Sequence, residues 1–265
     1  MLRMIERYSR KELLDIWGEK AKYDSWLEVE LAVCTARKEL NQLSQEDLDI
    51  ILKRAKYSIE RINEIEKITR HDVLAFTTSV GENLGDYSRF FHQGLTSSDI
   101  LDTALALRLK KASLVIVKDI EELLENIKDL AHQHKETIMI GRTHGVHAEP
   151  ITFGFKLTLW YTEMVRNLTR MKQVCEEISY GKISGAVGTF AHIDPLIEKK
   201  VCQKLGLKNT PISSQIVQRD RQAHYLSVLA IIASSLEKFA TEIRSLQRTD
   251  ILELEEGFKK KKKGS

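Results

Sequence analysis

From Ser98 to about His132 the chain runs without a proline or a glycine, and Ile100, Leu101, Ala104, Leu105, Leu109, Ala112, Ile116, Ile120, Leu123, Leu124, Ile127 and Leu130 return at spacings of three and four. That pattern predicts one helix of about 34 residues, on the order of 50 Å long at about 1.5 Å per residue. A second long segment runs from about Thr152 to Tyr180. A third runs from Arg219 to Leu254, again free of proline and glycine. Helices this long are unusual against a mean of about three turns, and each needs a packing partner along its whole length. A bundle of long helices follows, and sharing it between subunits is the natural way to cover it. The apolar stripes are wider than a two-stranded coiled-coil seam, which favours a multi-helix core.

Shorter helices read from local signals. Tyr23, Trp26, Leu27, Leu31 and Cys34 lie on one face of a helix spanning roughly 18–42. Ser44 with Asp47 resembles a capping box. His71 to Leu84 forms another helix, closed by Gly85, and Asp194-Pro195 opens one that ends at Leu205-Gly206. The chain has 265 residues, 42% of them hydrophobic, enough for a real core.

The bulk charge narrows the function classes. The formal net charge is +3, and five positive charges sit in the single run Lys259 to Lys263, so the field gives no reason to propose nucleic-acid binding. Cys34, Cys175 and Cys202 are odd in number and far apart, with no CxxC pair, so neither a disulfide framework nor a zinc ribbon is supported. Arg3, Glu6, Arg7 and Arg10 break any signal-peptide core, and the best apolar run, Leu226 to Leu236, is too short to span a bilayer. The reading is a cytoplasmic protein with no membrane partner.

Three connectors carry the chemistry: Phe91-His-Gln-Gly-Leu-Thr-Ser-Ser98, Ile138-Met-Ile-Gly-Arg-Thr-His-Gly-Val-His-Ala-Glu-Pro150 and Gly181-Lys-Ile-Ser-Gly-Ala-Val-Gly-Thr189. Each abuts the end of a long helix and is rich in glycine, hydroxyls, histidine or cations, the setting in which loops serve ligands. His71, His92 and His144 lie in polar contexts suited to acid–base work near neutral pH; any one alone reads better as a surface or structural imidazole, and the three in similar settings shift the balance toward function. His132, His134 and His224 lie on helices and read as structural. His144 and His147 are three apart, but too few ligands accompany them to support zinc. Thr96, Ser97, Ser98 and Asp99 open the longest helix; Ser97 or Ser98 is expected as its N-cap, and the free amides there also suit a carboxylate or phosphate. Arg7, Arg70, Arg142, Arg219 and Arg221 lie in or beside these connectors, where each is either an anion ligand or a solvated charge.

Several strings resemble the fumarase/aspartase superfamily and, within it, the adenylosuccinate lyases. They are Ile5-Glu-Arg-Tyr-Ser9, Thr69-Arg-His-Asp-Val73, Gly94-Leu-Thr-Ser-Ser-Asp99, Gly141-Arg-Thr-His-Gly-Val-His-Ala-Glu-Pro150, Ser184-Gly-Ala-Val-Gly-Thr189, Gln218-Arg-Asp-Arg221, and Leu246-Gln-Arg-Thr-Asp250 with Glu255-Glu256. They occur in the family's order over nearly the whole chain. Gly-Val-His after Arg142-Thr-His144 is the discriminating string, since fumarase-like and argininosuccinate-lyase-like members carry Thr-His-Leu-Gln there.

The resemblance implies an all-α fold: a small N-terminal helical domain, 1–93, then a long-helix bundle, 94–265, which is incomplete and lacks the C-terminal domain. It implies a carbon–nitrogen lyase that eliminates fumarate from a succinylated purine nucleotide through a carboxylate-stabilised carbanion, without a cofactor and as a homotetramer. His144 is then the general acid and His71 orients substrate or leaving group, with Arg70 and Asp72 beside it as substrate contacts. His92 lies near the phosphate or ribose, Arg7 and Tyr8 hold phosphate, Thr96 and Ser97 bind a succinyl carboxylate, and Gln215 and Arg219 contact substrate. A substrate with two carboxylates and a phosphate needs such cations and helix N-termini, with fixed donors where charge develops.

The chain departs from the pattern at Phe190 and His192, where tyrosine and asparagine are usual, at Gly257 in place of proline, and in the lysine run, whose simplest reading is a solvated loop edge. It stops at Gly264-Ser265, where the family opens a mobile Ser-Ser-x-Met-Pro-x-Lys-x-Asn-Pro loop whose second serine is the usual base. Ser265 matches only the first serine, so a chain ending there is expected to be inactive. Two other readings stand beside this one: a superfamily lyase acting on a different succinyl or carboxymuconate-type substrate, and a non-catalytic helical oligomerisation or binding protein.

Overall fold

The computed structural model of the chain describes residues 6–255; Arg3, Ile5, Glu256, Gly257, the run Lys259–Lys263 and Ser265 lie outside the described residues. It divides into two compact units. One comprises residues up to Val115 together with Cys175–Gln222, and the other Ile116–Val174 with the residues from Ala223 onward.

In the first unit five helices follow a 3-10 turn at Glu6–Tyr8: α1 (Lys11–Trp17), α2 (Glu19–Glu39), α3 (Gln45–Arg54), α4 (Ile59–Thr69) and α5 (Asp72–Leu84). The starts obey local chemistry. Ser44 Oγ accepts from the Asp47 amide at 3.0 Å, and Ser58 Oγ does the same for Arg61 at 3.2 Å. Tyr23 and Trp26 on α2 meet Phe76 on α5, with ring centroids 6.0 Å and 5.5 Å away, at the centre of a buried apolar cluster. That cluster extends through Ile100, Ala104 and Leu107 to Ile183, Ile197 and Val201. The last two belong to α8 (Pro195–Lys204), which Asp194 caps through the Leu196 amide at 2.8 Å.

The long elements are α6 (Ser97–Gln133), α7 (Phe153–Ile178) and α9 (Asp220–Leu246). At 37 residues α6 spans about 55 Å. In the second unit Trp160 on α7 stacks on Phe239 of α9, centroids 4.6 Å apart. Buried Asn167 donates to Ser235 Oγ at 2.9 Å, so the polar group inside that helix pair is satisfied. Phe155, Leu159, Leu226 and Ile231 stand exposed on the same two helices. No helix among the described residues is long and apolar enough to cross a membrane.

The all-α expectation holds for the scaffold, and the structure corrects it locally. Ile138–Thr143 and Val146–Thr152 form an antiparallel hairpin, β1–β2, where a bare connector was expected; Tyr180–Gly181 and Lys208–Asn209 make a two-residue parallel pair, β3–β4. The third long helix ends at Leu246, not Leu254. Leu252 turns left-handed (φ 50°), and the Glu253 and Leu254 amides fold back onto the Leu246 carbonyl at 3.1 and 3.3 Å. No glycine or proline marks that stop. The cap of α6 falls on Thr96 rather than Ser97 or Ser98, since the helix begins at Ser97. The Thr96 amide is bound by Asp99 Oδ2 at 2.9 Å, and the Thr96 carbonyl accepts from the Asp99 amide at 2.9 Å. His134 lies just past the end of α6, where its ring contacts Phe153 and Nδ1 lies 3.1 Å from Thr137 Oγ1.

Candidate functional site

The first two turns of α6 gather four of the expected residues of the first unit, His71, Thr96, Ser97 and Arg219. Asp99, fully buried, is their anchor: its carboxylate accepts from Lys182 Nζ at 2.5 Å, the Ser184 amide at 3.1 Å and the Gly185 amide at 3.2 Å, besides the Thr96 amide. Lys182 is equally buried, and its Nζ also donates to the Gly185 carbonyl at 3.0 Å. Thr103, one turn further along, exchanges two hydrogen bonds with the Lys182 backbone at 2.8 and 3.0 Å. Glu198 holds the Ile183 amide from the other side at 2.8 Å; burial pushes its carboxyl above the usual range, with the Ile183 amide and Lys182 opposing. The glycine-rich segment 184–189 is thereby fixed against the α6 N-terminus, where unpaired helical amides favour an anion.

His71 caps α5: its Nδ1 accepts from the Leu74 amide at 3.2 Å. An accepting Nδ1 places the neutral ring's proton on Nε2, and Nε2 lies 3.5 Å from Ser97 Oγ. His71 therefore presents a donor toward the hydroxyls that open α6, and its side chain is half exposed. Asp72 is turned into its own helix, its Oδ1 accepting from the Val73 amide at 2.7 Å.

A second link reaches α6 at Asp102. Arg219 forks onto that carboxylate at 2.8 and 3.1 Å, and the Val217 amide donates to the same group at 2.7 Å. Asp102 is buried while Arg219 is half exposed, and Arg219 Nη1 also donates to the Val217 carbonyl at 3.2 Å, so the guanidinium is oriented from one side and partly open to solvent.

His92 is held elsewhere. Its Nδ1 lies 2.6 Å from Glu30 Oε1 and its amide donates to Glu30 Oε2 at 3.1 Å. Burial would lower the imidazole's pKa, but hydrogen bonding and charge from fully buried Glu30 outweigh it and raise the pKa above the ordinary value. Arg70 is the left-handed C-cap of α4 (φ 54°), exposed beside Glu66 and Lys67. Arg7 donates to Tyr8 Oη at 2.8 Å and lies over its ring, an exposed pair. Gln215 is exposed in the irregular segment before α9.

In the second unit His144 sits at the hairpin tip. Thr143 pairs with Val146, leaving His144 and Gly145 as a two-residue turn with φ of 56° and 77°. Two consecutive positive φ values match a type I′ turn, with glycine meeting the requirement freely and histidine at some strain. The imidazole is exposed. Arg142, at the base of the turn, forks onto Glu253 at 2.8 Å on both arms, so it braces the hairpin instead of facing a ligand.

The structure thus joins His71 with Ser97, Thr96 with the 184–185 segment through Asp99, and Arg219 with α6 through Asp102. It links none of these by side-chain contact to Arg7, Tyr8, Arg70, His92 or Gln215. Lys182, Asp102 and Glu30 were missed as positioning groups. A signal existed: Asp99, Asp102 and Thr103 occupy successive turns of one face of a helix whose neighbours are apolar, and a carboxylate there must find a partner. Among the described residues no group of three His, Cys, Asp or Glu side chains is arranged to hold a metal ion.

Comparison with known proteins gives a consistent picture. A family model described as Lyase matches residues 6–265. The adenylosuccinate lyase of Bacillus subtilis (strain 168) is 55% identical over 262 residues, covering 99% of this chain and 61% of that protein. The adenylosuccinate lyase of Staphylococcus saprophyticus subsp. saprophyticus is 53% identical with the same coverage. The chain therefore spans 61% of the length of these curated relatives. Among solved structures, a fumarate lyase from Mesorhizobium sp. BNC1 superposes with a TM-score of 0.85 at 26% identity, over 92% of this chain and 60% of that one. A beta-carboxy-cis,cis-muconate cycloisomerase from Acinetobacter calcoaceticus gives 0.83 at 25% identity, over 92% and 59%. The family resemblance carried by the motifs is borne out: the chain belongs to this lyase family.

Proposed function

We propose that the protein is an adenylosuccinate lyase, eliminating fumarate from adenylosuccinate to give AMP and from the succinylated imidazole-carboxamide nucleotide SAICAR to give AICAR. The observation that carries this reading is 55% identity over 262 residues to a protein of that name. The chemistry around α6 supports it. A succinyl carboxylate docks at Thr96 and Ser97, beneath the free amides of the helix start, and His71 Nε2–H donates to substrate or leaving group from 3.5 Å beyond Ser97 Oγ. Arg219, Gln215, Arg70 and Asp72 contact the nucleotide, Arg7 and Tyr8 take its phosphate, and His92 lies near the phosphate or ribose. His144, exposed on its turn, protonates the departing nitrogen.

The working form is a cytoplasmic homotetramer, and the apolar side chains exposed on α7 and α9 suit burial against further copies. The domain boundary falls between 93 and 94, within the connector that leads into α6. Fumarate release by the protein as its gene encodes it, with adenylosuccinate and argininosuccinate offered side by side, tests the reading. Turnover of adenylosuccinate that His144→Ala lowers at least a hundredfold is expected. Turnover of argininosuccinate alone, or of neither, defeats it.

A further inference from the structure

A cavity of about 570 Å³ in the first unit has no part in the reading above. It is lined by Arg37, Gln42, Gln93, Gly94 and the segment 190–194. Arg37, on α2, is 8% exposed. Its two described side-chain hydrogen bonds, both 2.6 Å long, end on neutral oxygens of one residue, Gln93 Oε1 and the Gln93 carbonyl. Its Nε has no partner among the described residues.

Neither carboxylate nearby makes a described hydrogen bond or ion pair with Arg37, and exposed Asp194 keeps its charge. Both oxygens of Glu30 are taken by His92, and Asp194, on the cavity wall, accepts from the Leu196 amide. Burial pushes the Cys34 thiol up to about 12, so it stays neutral. Burial also lowers the Arg37 pKa, with Cys34 and Glu30 opposing. A guanidinium removed from water without a carboxylate in contact is costly, and fixed arginines of this kind are suited to oxyanions.

Two of the walls pack tightly together. Gly94 (φ 73°) runs so close to the 190–194 wall that a Cβ there would sit 2.6 Å from the His192 carbonyl oxygen. Exposed Gln42, Gln93 and His192 form a polar rim around the buried cation. Because Gln93 Oε1 accepts from Arg37, its amide nitrogen is left to donate.

We propose that this cavity binds a small oxyanion, a phosphate or carboxylate group, with Arg37 as its countercharge and the Gln42, Gln93 and His192 rim as further contacts. Calorimetric titration with inorganic phosphate and with acetate, at ionic strength held constant with chloride, tests it. Saturable binding is expected in the wild type and in Arg7→Ala, a variant at the proposed substrate-phosphate contact. It should weaken at least tenfold in Arg37→Gln and in Ala191→Trp, which fills the cavity without touching the charge. Tighter binding of phosphate assigns the ligand to phosphate esters, and tighter binding of acetate to carboxylates. No saturable heat in the wild type, or binding lost in Arg7→Ala but kept in the other two variants, overturns the proposal. Should Arg37→Gln fail to fold by circular dichroism, Ala191→Trp decides alone, and undiminished affinity there overturns the site.

Discussion

Replacing Lys182 with methionine isolates the interaction that ties the glycine-rich segment to the start of α6. Both partners of the Lys182–Asp99 pair are fully buried at 2.5 Å, so the variant leaves a carboxylate in the core without its cation. Breaking a buried pair from one side costs about 3–5 kcal/mol. Three backbone amides, those of Thr96, Ser184 and Gly185, still donate to Asp99, which places the expected loss near the lower end, about 3 kcal/mol. At about 2.1 cal/mol/K per residue, a chain of 265 residues has an unfolding entropy near 0.56 kcal/mol/K, so the melting temperature should fall by about 5 °C. Differential scanning calorimetry reads this directly. Asp99→Asn should cost a similar amount, and the double variant Asp99→Asn/Lys182→Met should lose clearly less than the two single losses combined, because neither charge is then stranded. Strict additivity, or a Lys182→Met shift under about 1 °C, would show that the pair does not hold this junction and would refute the reasoning.

Asp102→Asn should loosen the Arg219 fork; because Arg219 is half exposed, the loss is discounted to about 1 kcal/mol, a roughly fivefold rise in KM for adenylosuccinate with kcat less affected. A fall in kcat at constant KM contradicts that role. The raised pKa of His92 makes its pairing with Glu30 stabilising while the unfolded imidazole is still protonated, below about pH 6.5, and that contribution should fade as pH climbs through the higher folded value. Melting temperatures from pH 5 to 8 should therefore drop more steeply in the wild type than in His92→Gln, and parallel curves discount the pair. His144→Gly should leave stability unchanged or raise it by up to about 1 kcal/mol, since glycine adopts the positive φ freely, while fumarate release falls at least a hundredfold. A marked loss of melting temperature would argue against the strained turn.

The long helices were legible because nothing interrupts their three-and-four spacing, and the capped starts at Ser44 and Asp194 because a side chain and the next turn's amide announce each other locally. The hairpin was hidden for a physical reason. Its strand Val146–Thr152 is exposed along most of its length, so burial imposes no alternation on the sequence, and the register shifts between Ile140 and Arg142. The end of α9 was equally silent, because the stop comes from a left-handed leucine and from Glu253 reaching Arg142, 111 positions away. Candidate hydroxyls and imidazoles could be picked out by residue type and setting. The carboxylates on the α6 face signalled that partners were needed but not which ones: Lys182 finds Asp99 across 83 positions and Arg219 finds Asp102 across 117, and the sequence marks no such pairings.

Arg70, His92 and His144 share a backbone habit that their side chains disfavour, each with φ between 54° and 57°. Glycine would relax all three backbones, but at His92 it would also strand the buried Glu30 carboxylate. An engineer ranking variants by thermal robustness alone would be steered to Arg70 and His144, deleting a guanidinium and an imidazole of the proposed chemistry. At Arg70 and His144 tolerance to heat and capacity for reaction thus pull apart, and the main-chain angles mark both positions without any bound ligand.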